Sequence, residues 1–363
     1  MIYDYWYANI EGIGNKKKID LIKYIQEPEE LYKMNGSRMQ KIPGISQDDA
    51  ERIEYSKKVW KAEEEYRLLQ SKKIRLLTWK STNYPEKLRV IDNPPYALYI
   101  KGSYFEQNRK TAAIVGARVC SEYGRTIAKQ LGNFLGEHGI DVISGMAEGI
   151  DAAGHFGALC GNGKTFAVLG CGVEICYPKK NHILYKKIQE NGSLISEFPI
   201  LKNPLPKYFP MRNRLISGLA DIVIIIEARK RSGSLITADF ALEQGKLIYA
   251  VPGRFFDGLS EGTNRLIAQG AGILCSFWDI LFELDIIQTM DKTNNNLINL
   301  PLEKSEKLVY SCVDLSPKSL DELLTESKLE FSKLVRILSV LQTKGYIKEV
   351  YKNYYITQNM SIL

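Results

Sequence analysis

The sequence predicts an α/β protein: a central parallel sheet covered on both faces by helices, with a helical piece on each side. Three observations predict this. From residue 111 to about 287, short apolar runs alternate with longer helical patterns. Three of those runs end in small residues, in Gly116-Ala-Arg118, Ser144-Gly-Met-Ala-Glu-Gly-Ile-Asp151 and Gly170-Cys-Gly172. Outside this region the alternation stops, and glycine turns or helical periodicity take over.

The totals bound the class. A chain of 363 residues holds two or three domains, and at 45% hydrophobic it can bury a large core. A net charge of +7 permits a polyanionic partner without requiring one. The six cysteines contain no C-x-x-C pair and there are only three histidines, so no metal site is expected. Free thiols without a leader pattern point to the reducing cytosol. No run of apolar residues is long enough to span a membrane.

Residues 1–75 repeat a pattern. Ile10-Glu-Gly-Ile-Gly-Asn15 and Ile42-Pro-Gly-Ile-Ser-Gln47 place Gly12 and Gly44 32 positions apart, each before a helix; the second helix is expected over 47–70. A glycine turn between two short helices resembles the helix-hairpin-helix motif, in which turn N–H groups face a phosphate; a plain packing hairpin fits equally well. Residues 76–110 are turn-rich, with one short strand over Tyr96–Gly102.

In the centre, strands are expected at 112–115, 142–144, 166–169, 194–196, 222–226, 247–251 and 273–275, and a helix over 121–137. Phe209-Pro-Met-Arg-Asn-Arg214 reads as a loop carrying Arg212, Asn213 and Arg214. The β-branched run Asp221–Ile226 reads as a doubly covered strand, followed by Arg231-Ser-Gly-Ser-Leu-Ile-Thr237. Ser232, Gly233, Ser234 and Thr237 therefore sit just past a strand's carboxyl end, where open α/β sheets bind ligands and a helix N-terminus favours an anion. Gly116, Ser144 and Gly145 offer close backbone approach at the same edge, and Arg118 can take a phosphate. A surface basic cluster beside an ordinary βα turn is the plainer alternative. No G-x-G-x-x-G follows the first of these strands, which speaks against a dinucleotide site. Gly161-Asn-Gly-Lys-Thr165 mimics a P-loop ending, but the spacing puts Ala158 where glycine is needed. No catalytic set emerges: Ser144 has no histidine partner, and His155 reads as a packing residue.

Residues 288–302 read as a polar linker. Beyond it come three helical segments, 303–312, 319–325 and 330–344, then two strands at 345–350 and 353–356. That is a winged-helix pattern (303–363). Its recognition helix carries only Lys333, Arg336 and Lys344, so partner binding is as reasonable as duplex binding.

The central motifs together resemble the DNA processing protein A (DprA, or Smf) family. The shared pieces are Gly116-x-Arg118, the 144–151 motif, Ala167-Val-Leu-Gly-Cys-Gly172, Tyr177-Pro178, Ser196-Glu-Phe-Pro199, Phe209-Pro-x-Arg-Asn-Arg214, Ser232-Gly-Ser-Leu-Ile-Thr-Ala238, Glu243-Gln-Gly245 and Ala250-Val-Pro-Gly253. The resemblance covers about residues 80–285 and implies a Rossmann-like domain, taken as 76–287, in a non-enzymatic protein; the helical piece over 1–75 is expected as a helix-hairpin-helix or SAM-like domain from its own turns. The resemblance also implies that the protein binds single-stranded DNA, protects it, forms a homodimer and loads RecA recombinase during natural transformation, with no cofactor. It puts Arg118, Phe209 and a lysine, Lys207 or alternatively Lys202, in the DNA pocket. Glu148 stands where the family usually has arginine. The rival class is a lysine-decarboxylase-like phosphoribohydrolase, whose Pro-Gly-Gly-x-Gly-Thr loop is missing, since Pro252-Gly253 is followed by Arg254.

Overall fold

Seven parallel strands form where the apolar runs lie, and two antiparallel strands extend them. The computed structural model describes residues 1–287, 302–314 and 316–357. The chain forms two units, Met1–Cys275 and Ser276–Leu363.

The first unit begins with six helices: α1 (Ile2–Ala8), α2 (Asn15–Ile25), α3 (Pro28–Lys33), α4 (Gly36–Met39), α5 (Gln47–Val59) and α6 (Ala62–Ser71). The expected repeat is present. Gly12 and Gly44 both take positive φ, 80° and 88°, which a side chain rarely adopts, and each following helix starts three residues later. Equivalent positions in the two copies meet, because Lys17 pairs with Asp49 at 2.7 Å. The single helix expected over 47–70 is two helices. Trp60 leaves helical geometry (ψ 123°) and turns its ring onto Trp6 and Tyr32, with centroids at 6.1 and 5.7 Å.

The sheet follows: β1 (Arg75–Thr78), α7 (Glu86–Arg89), β2 (Ala97–Gly102), β3 (Thr111–Val115), α8 (Glu122–Glu137), β4 (Asp141–Ser144), α9 (Ile150–Cys160), β5 (Thr165–Val168), α10 (His182–Glu190), β6 (Gly192–Ser196), α11 (Tyr208–Leu219), β7 (Ile222–Ile225), α12 (Gly233–Glu243), β8 (Leu247–Ala250), α13 (Glu261–Ala268) and β9 (Gly272–Ile273). The order across the sheet is β1-β2-β6-β5-β4-β3-β7-β8-β9. β3 to β9 are parallel; β2 runs antiparallel to β6, and β1 to β2. The turn-rich segment after residue 75 is therefore part of the sheet. Tyr7 packs edge-on against Tyr96 at 4.8 Å, and the Tyr99 hydroxyl donates to Asn9 at 2.9 Å, so the helical piece shares a core with β2.

From β3 the chain steps outward to β4, β5 and β6, then returns to β7 on the other side of β3. The carboxyl ends of β3 and β7 thus mark a topological switch point, where a crevice opens.

The second unit holds α14 (Trp278–Glu283), α15 (Lys304–Cys312), β10 (Lys318–Ser319), α16 (Leu320–Ser327), α17 (Phe331–Thr343), β11 (Ile347–Tyr351) and β12 (Tyr354–Thr357). The strands form an antiparallel sheet in the order β10-β12-β11, around a core that includes Val309, Leu323, Leu338 and Ile347. From α15 onward this is the element order of a winged helix. Ser319 and Glu322 form a capping box at the start of α16. Lys344 is held by Glu306 at 2.8 Å, which withdraws one of the three cations expected on the recognition helix. Of the expected linker, residues 288–301 lie outside the described residues.

Candidate nucleic-acid interface

A cleft of about 490 Å³ opens at the switch point. One side is the loop after β3. Ser121 caps α8 by accepting from the Gly124 N–H at 3.0 Å, and its own N–H donates to Glu227 at 2.9 Å. The Ser121 hydroxyl also donates to Glu227, a buried carboxylate just past β7. The loop is thereby pinned at its far end while Arg118 stays exposed. The Arg118 guanidinium lies 5.4 Å from the centroid of Phe209, whose ring is tilted against Tyr177 at 5.4 Å. A cation beside two aromatic rings suits a phosphate next to an unpaired base.

Phe209 comes from α11, because the hexapeptide expected as a loop is helical. Pro210 is the third residue of α11, where N–H groups have no intrahelical partner, so the ring removes no hydrogen bond. Helical spacing then turns Phe209, Arg212, Asn213 and Ile216 toward the cleft. Asn213 crosses to α12 by donating to the Gly233 carbonyl at 3.1 Å. The opposite wall is the start of α12, where Ser232 accepts from the Ser234 N–H and the two hydroxyls lie 2.7 Å apart. Gly116, Gly233 and Thr237 line the same space.

Arg212 forms the floor and is 4% exposed. It donates to the carbonyls of Gly145, at 2.9 Å, and Val168. Burial pushes its pKa down to about 10, against the pull of Asp151, so it remains charged at neutral pH. Burial raises the Asp151 carboxyl, with Arg212 and the Gly145 and Ala147 N–H groups opposing. Among the described residues, Asp151 is the one carboxylate lining the main cleft. A smaller chamber of about 240 Å³ shares Arg118, Tyr177, Phe209 and Arg212, and is bordered by Gly145 and Glu148. Glu148 pairs with Lys180 at 3.4 Å.

Ser144, Gly145 and Arg214 make contacts within the scaffold. Ser144 is fully buried and donates to the Ile114 carbonyl at 2.6 Å, joining β4 to β3 beneath the cleft. Gly145 is small for a packing reason: a Cβ there would meet Arg212 and Asp151 atoms at 2.7 Å. Arg214 leaves α11 away from the cleft and grips Glu197 with two bonds, at 2.6 and 2.7 Å. Lys207 is exposed at the N-cap of α11, outside the cleft lining; Lys202 is tied to Glu11 at 3.2 Å. His155 is buried against Thr165 at 2.6 Å, and burial pushes its pKa down to about 3. Tyr177, Arg229 and Arg231 also line the cleft; Tyr177 and Arg231 stand in motifs named from the sequence but were not counted among the expected site residues. The basic run Arg229-Lys-Arg231, a few residues past the end of β7, was the available signal for the two arginines.

A doubly wound α/β sheet with a cationic, aromatic-walled crevice at its switch point defines a Rossmann-like protein equipped for a polyanion. Residues 75–285 match the DNA recombination-mediator protein A family, and the chain belongs to it. It is 41% identical over 202 residues to the DNA processing protein DprA of Streptococcus pneumoniae, covering 56% of this chain and 71% of that protein. The Protein Smf of Synechocystis is 27% identical over 382 residues, covering 95% of this chain and 96% of the relative. The X-ray structure of the S. pneumoniae protein matches with TM-score 0.67 at 31% identity, over 77% of this chain and 97% of that one. DNA processing protein A from Helicobacter pylori, whose structure concerns that protein's single-stranded DNA binding mode, matches with TM-score 0.53 at 29% identity, over 59% and 96%.

Proposed function

We propose that the protein binds single-stranded DNA in the switch-point cleft without chemical turnover and hands the strand to RecA recombinase, acting as a homodimer in the cytosol during natural transformation. The observation that carries the binding reading is the Arg118 guanidinium over Phe209, facing the N-terminus of α12. The guanidinium and the helix start supply phosphate contacts, and the rings supply stacking. In a duplex the base faces are already stacked, so a single strand gains more from Phe209. The H. pylori relative and the family membership support the same reading. Phosphate contacts are assigned to Arg118, Ser232, Ser234 and the Gly233 backbone within the cleft, and to Lys207 beside it at the start of α11. Stacking is assigned to Phe209, and shaping of the cleft to Arg212, Asn213 and Thr237. We further propose the division 1–75, 76–287, 288–302 and 303–363, with the last piece serving as an accessory module.

Gel shifts with Arg118→Ala and Lys207→Ala test the site: both should weaken binding of a single strand. Unchanged affinity in both would remove the cleft from the account. RecA delivery is tested by filament growth on strands coated with single-strand-binding protein, which the protein should accelerate. Release of free base from nucleoside monophosphates would instead establish an enzyme.

A further inference from the structure

Phe255 and Phe256 are the most exposed large apolar side chains among the described residues, at 86% and 96%. Apolar side chains exposed singly are ordinary, whereas these two are contiguous and almost wholly in water. Their rings meet edge-on at 5.0 Å. The loop that carries them, between β8 and α13, is braced. The Gly253 N–H and carbonyl both bond the Asn264 side chain at 3.1 Å. The Asp257 carboxylate receives the Leu259 N–H at 3.0 Å and the Ser260 hydroxyl at 2.8 Å. The rings are therefore presented by an ordered turn.

That turn is tied to the cleft wall. The Ala228 N–H donates to Leu259 at 2.8 Å, and the Gly262 N–H donates back to Ala228 at 2.7 Å. Ala228 opens the segment whose Arg229, Arg231 and Ser232 line the cleft. β7 and β8 are paired parallel neighbours, about 4.8 Å apart, so both loops leave the same edge of the sheet. The surroundings are cationic. Arg229, Lys230, Arg231 and Arg254 are all exposed, Asp257 is spent inside its own turn, and Glu261 pairs with Lys230 at 3.5 Å. Aromatic rings among cations suit an occupant with apolar faces and negative charge, which describes unpaired nucleotides better than an apolar protein surface.

We propose that Phe255 and Phe256 form a second stacking platform for single-stranded DNA, taking the bases that leave the cleft past Arg229 and Arg231. The proposal rests on the cleft reading above.

The test measures affinity for a ladder of oligonucleotide lengths with wild type, Arg118→Ala, the pair Phe255→Ala with Phe256→Ala, and the pair Phe255→Leu with Phe256→Leu. Both rings are exposed, so the paired variants should keep the wild-type melting temperature. Oligonucleotides long enough to reach the platform should bind both paired variants roughly 5- to 150-fold more weakly per stacked base lost. The shortest that fill only the cleft should bind them as wild type. The salt slope should stay the same, since no phosphate contact is removed. Equal affinity of wild type and paired variants at every length, with Arg118→Ala weakened, overturns the platform and leaves the cleft standing. No binding by wild type overturns both. A change in oligomer mass in the alanine pair alone, rescued by leucine and without loss of DNA affinity, overturns the platform in favour of a protein contact.

Discussion

Arg118 and Arg212 are both guanidinium groups at one cleft, yet they do different work. Arg118 is exposed and stands over a ring, whereas Arg212 is sealed beneath it by two carbonyls and Asp151. Arg118→Ala should therefore lower single-strand affinity by about 1.5–3 kcal/mol, the range for a charged hydrogen bond. The slope of log affinity against log salt should fall by about 0.7. The melting temperature should hold, because the side chain packs against no core. A lowered melting temperature with an unchanged slope would make Arg118 a fold residue. Glu148 offers the opposite test. Its carboxylate borders the smaller chamber and is compensated by Lys180, so Glu148→Gln leaves one more uncompensated cation. Affinity should rise at low ionic strength and converge on wild type as salt screens the difference; a fall at low salt would show that the carboxylate contacts the strand. At this scale the sequence was only partly legible. Arg212 and Arg214 look alike in the motif, but two positions on a helix point nearly opposite ways. Reading 209–214 as a loop hid that, and Pro210 invited the error.

Among elements, the loop between β3 and α8 depends on a neighbour. Glu227, just past β7, accepts from both the Ser121 N–H and hydroxyl, so it sets where the Arg118 loop ends. Glu227→Ala should cost about 1 kcal/mol of stability, because it removes a charge-assisted acceptor from two half-buried Ser121 donors. Unlike Arg118→Ala, it should lower melting temperature and affinity together; a change in affinity alone would place Glu227 in direct contact with the strand. In the helical piece, Lys18 of α2 is 4% exposed and donates to the Ala8 carbonyl at 2.6 Å. Burial pushes its pKa down to about 7, with Glu11 opposing. The unfolded chain keeps that proton to the ordinary lysine range, so between about pH 7 and about pH 10 unfolding takes up a proton and stability rises with pH. The contribution is complete above the unfolded pKa and lost as pH falls through the folded one. Denaturation midpoints of wild type and Lys18→Met from about pH 7 to about pH 9 check this. Wild type should gain on the variant as pH rises; parallel curves would mean that the ammonium stays charged when folded. The two glycine turns were legible because positive φ leaves a mark in the sequence. The break at Trp60 was not, because it is set by contacts with Trp6 and Tyr32 from distant helices.

For the whole molecule, the parallel strands could be read from their apolar runs because both faces are covered: β3, β4, β5 and β7 are buried throughout. β1 escaped notice because four residues beside turn-rich sequence carry little periodicity, and its place is fixed by pairing with β2. The strand ends alone pointed to the edge of the sheet where the cleft opens, while the strand order that makes this edge a switch point was not legible in the sequence. The site's membership was not legible either, because Ser144 and Arg214 are turned inward by packing that no local pattern records. The central claim is that the cleft takes unpaired bases, with Phe209 stacking and Arg118 on phosphate. The most direct measurement is equilibrium binding of one sequence as single strand and as duplex, at the same ionic strength, with wild type and with Phe209→Ala. The account predicts tighter binding of the single strand by wild type. With Phe209→Ala that preference should shrink by about 1–3 kcal/mol, the worth of one base stacked on a ring. Equal affinity for both forms, or a preference untouched by the loss of Phe209, would contradict it.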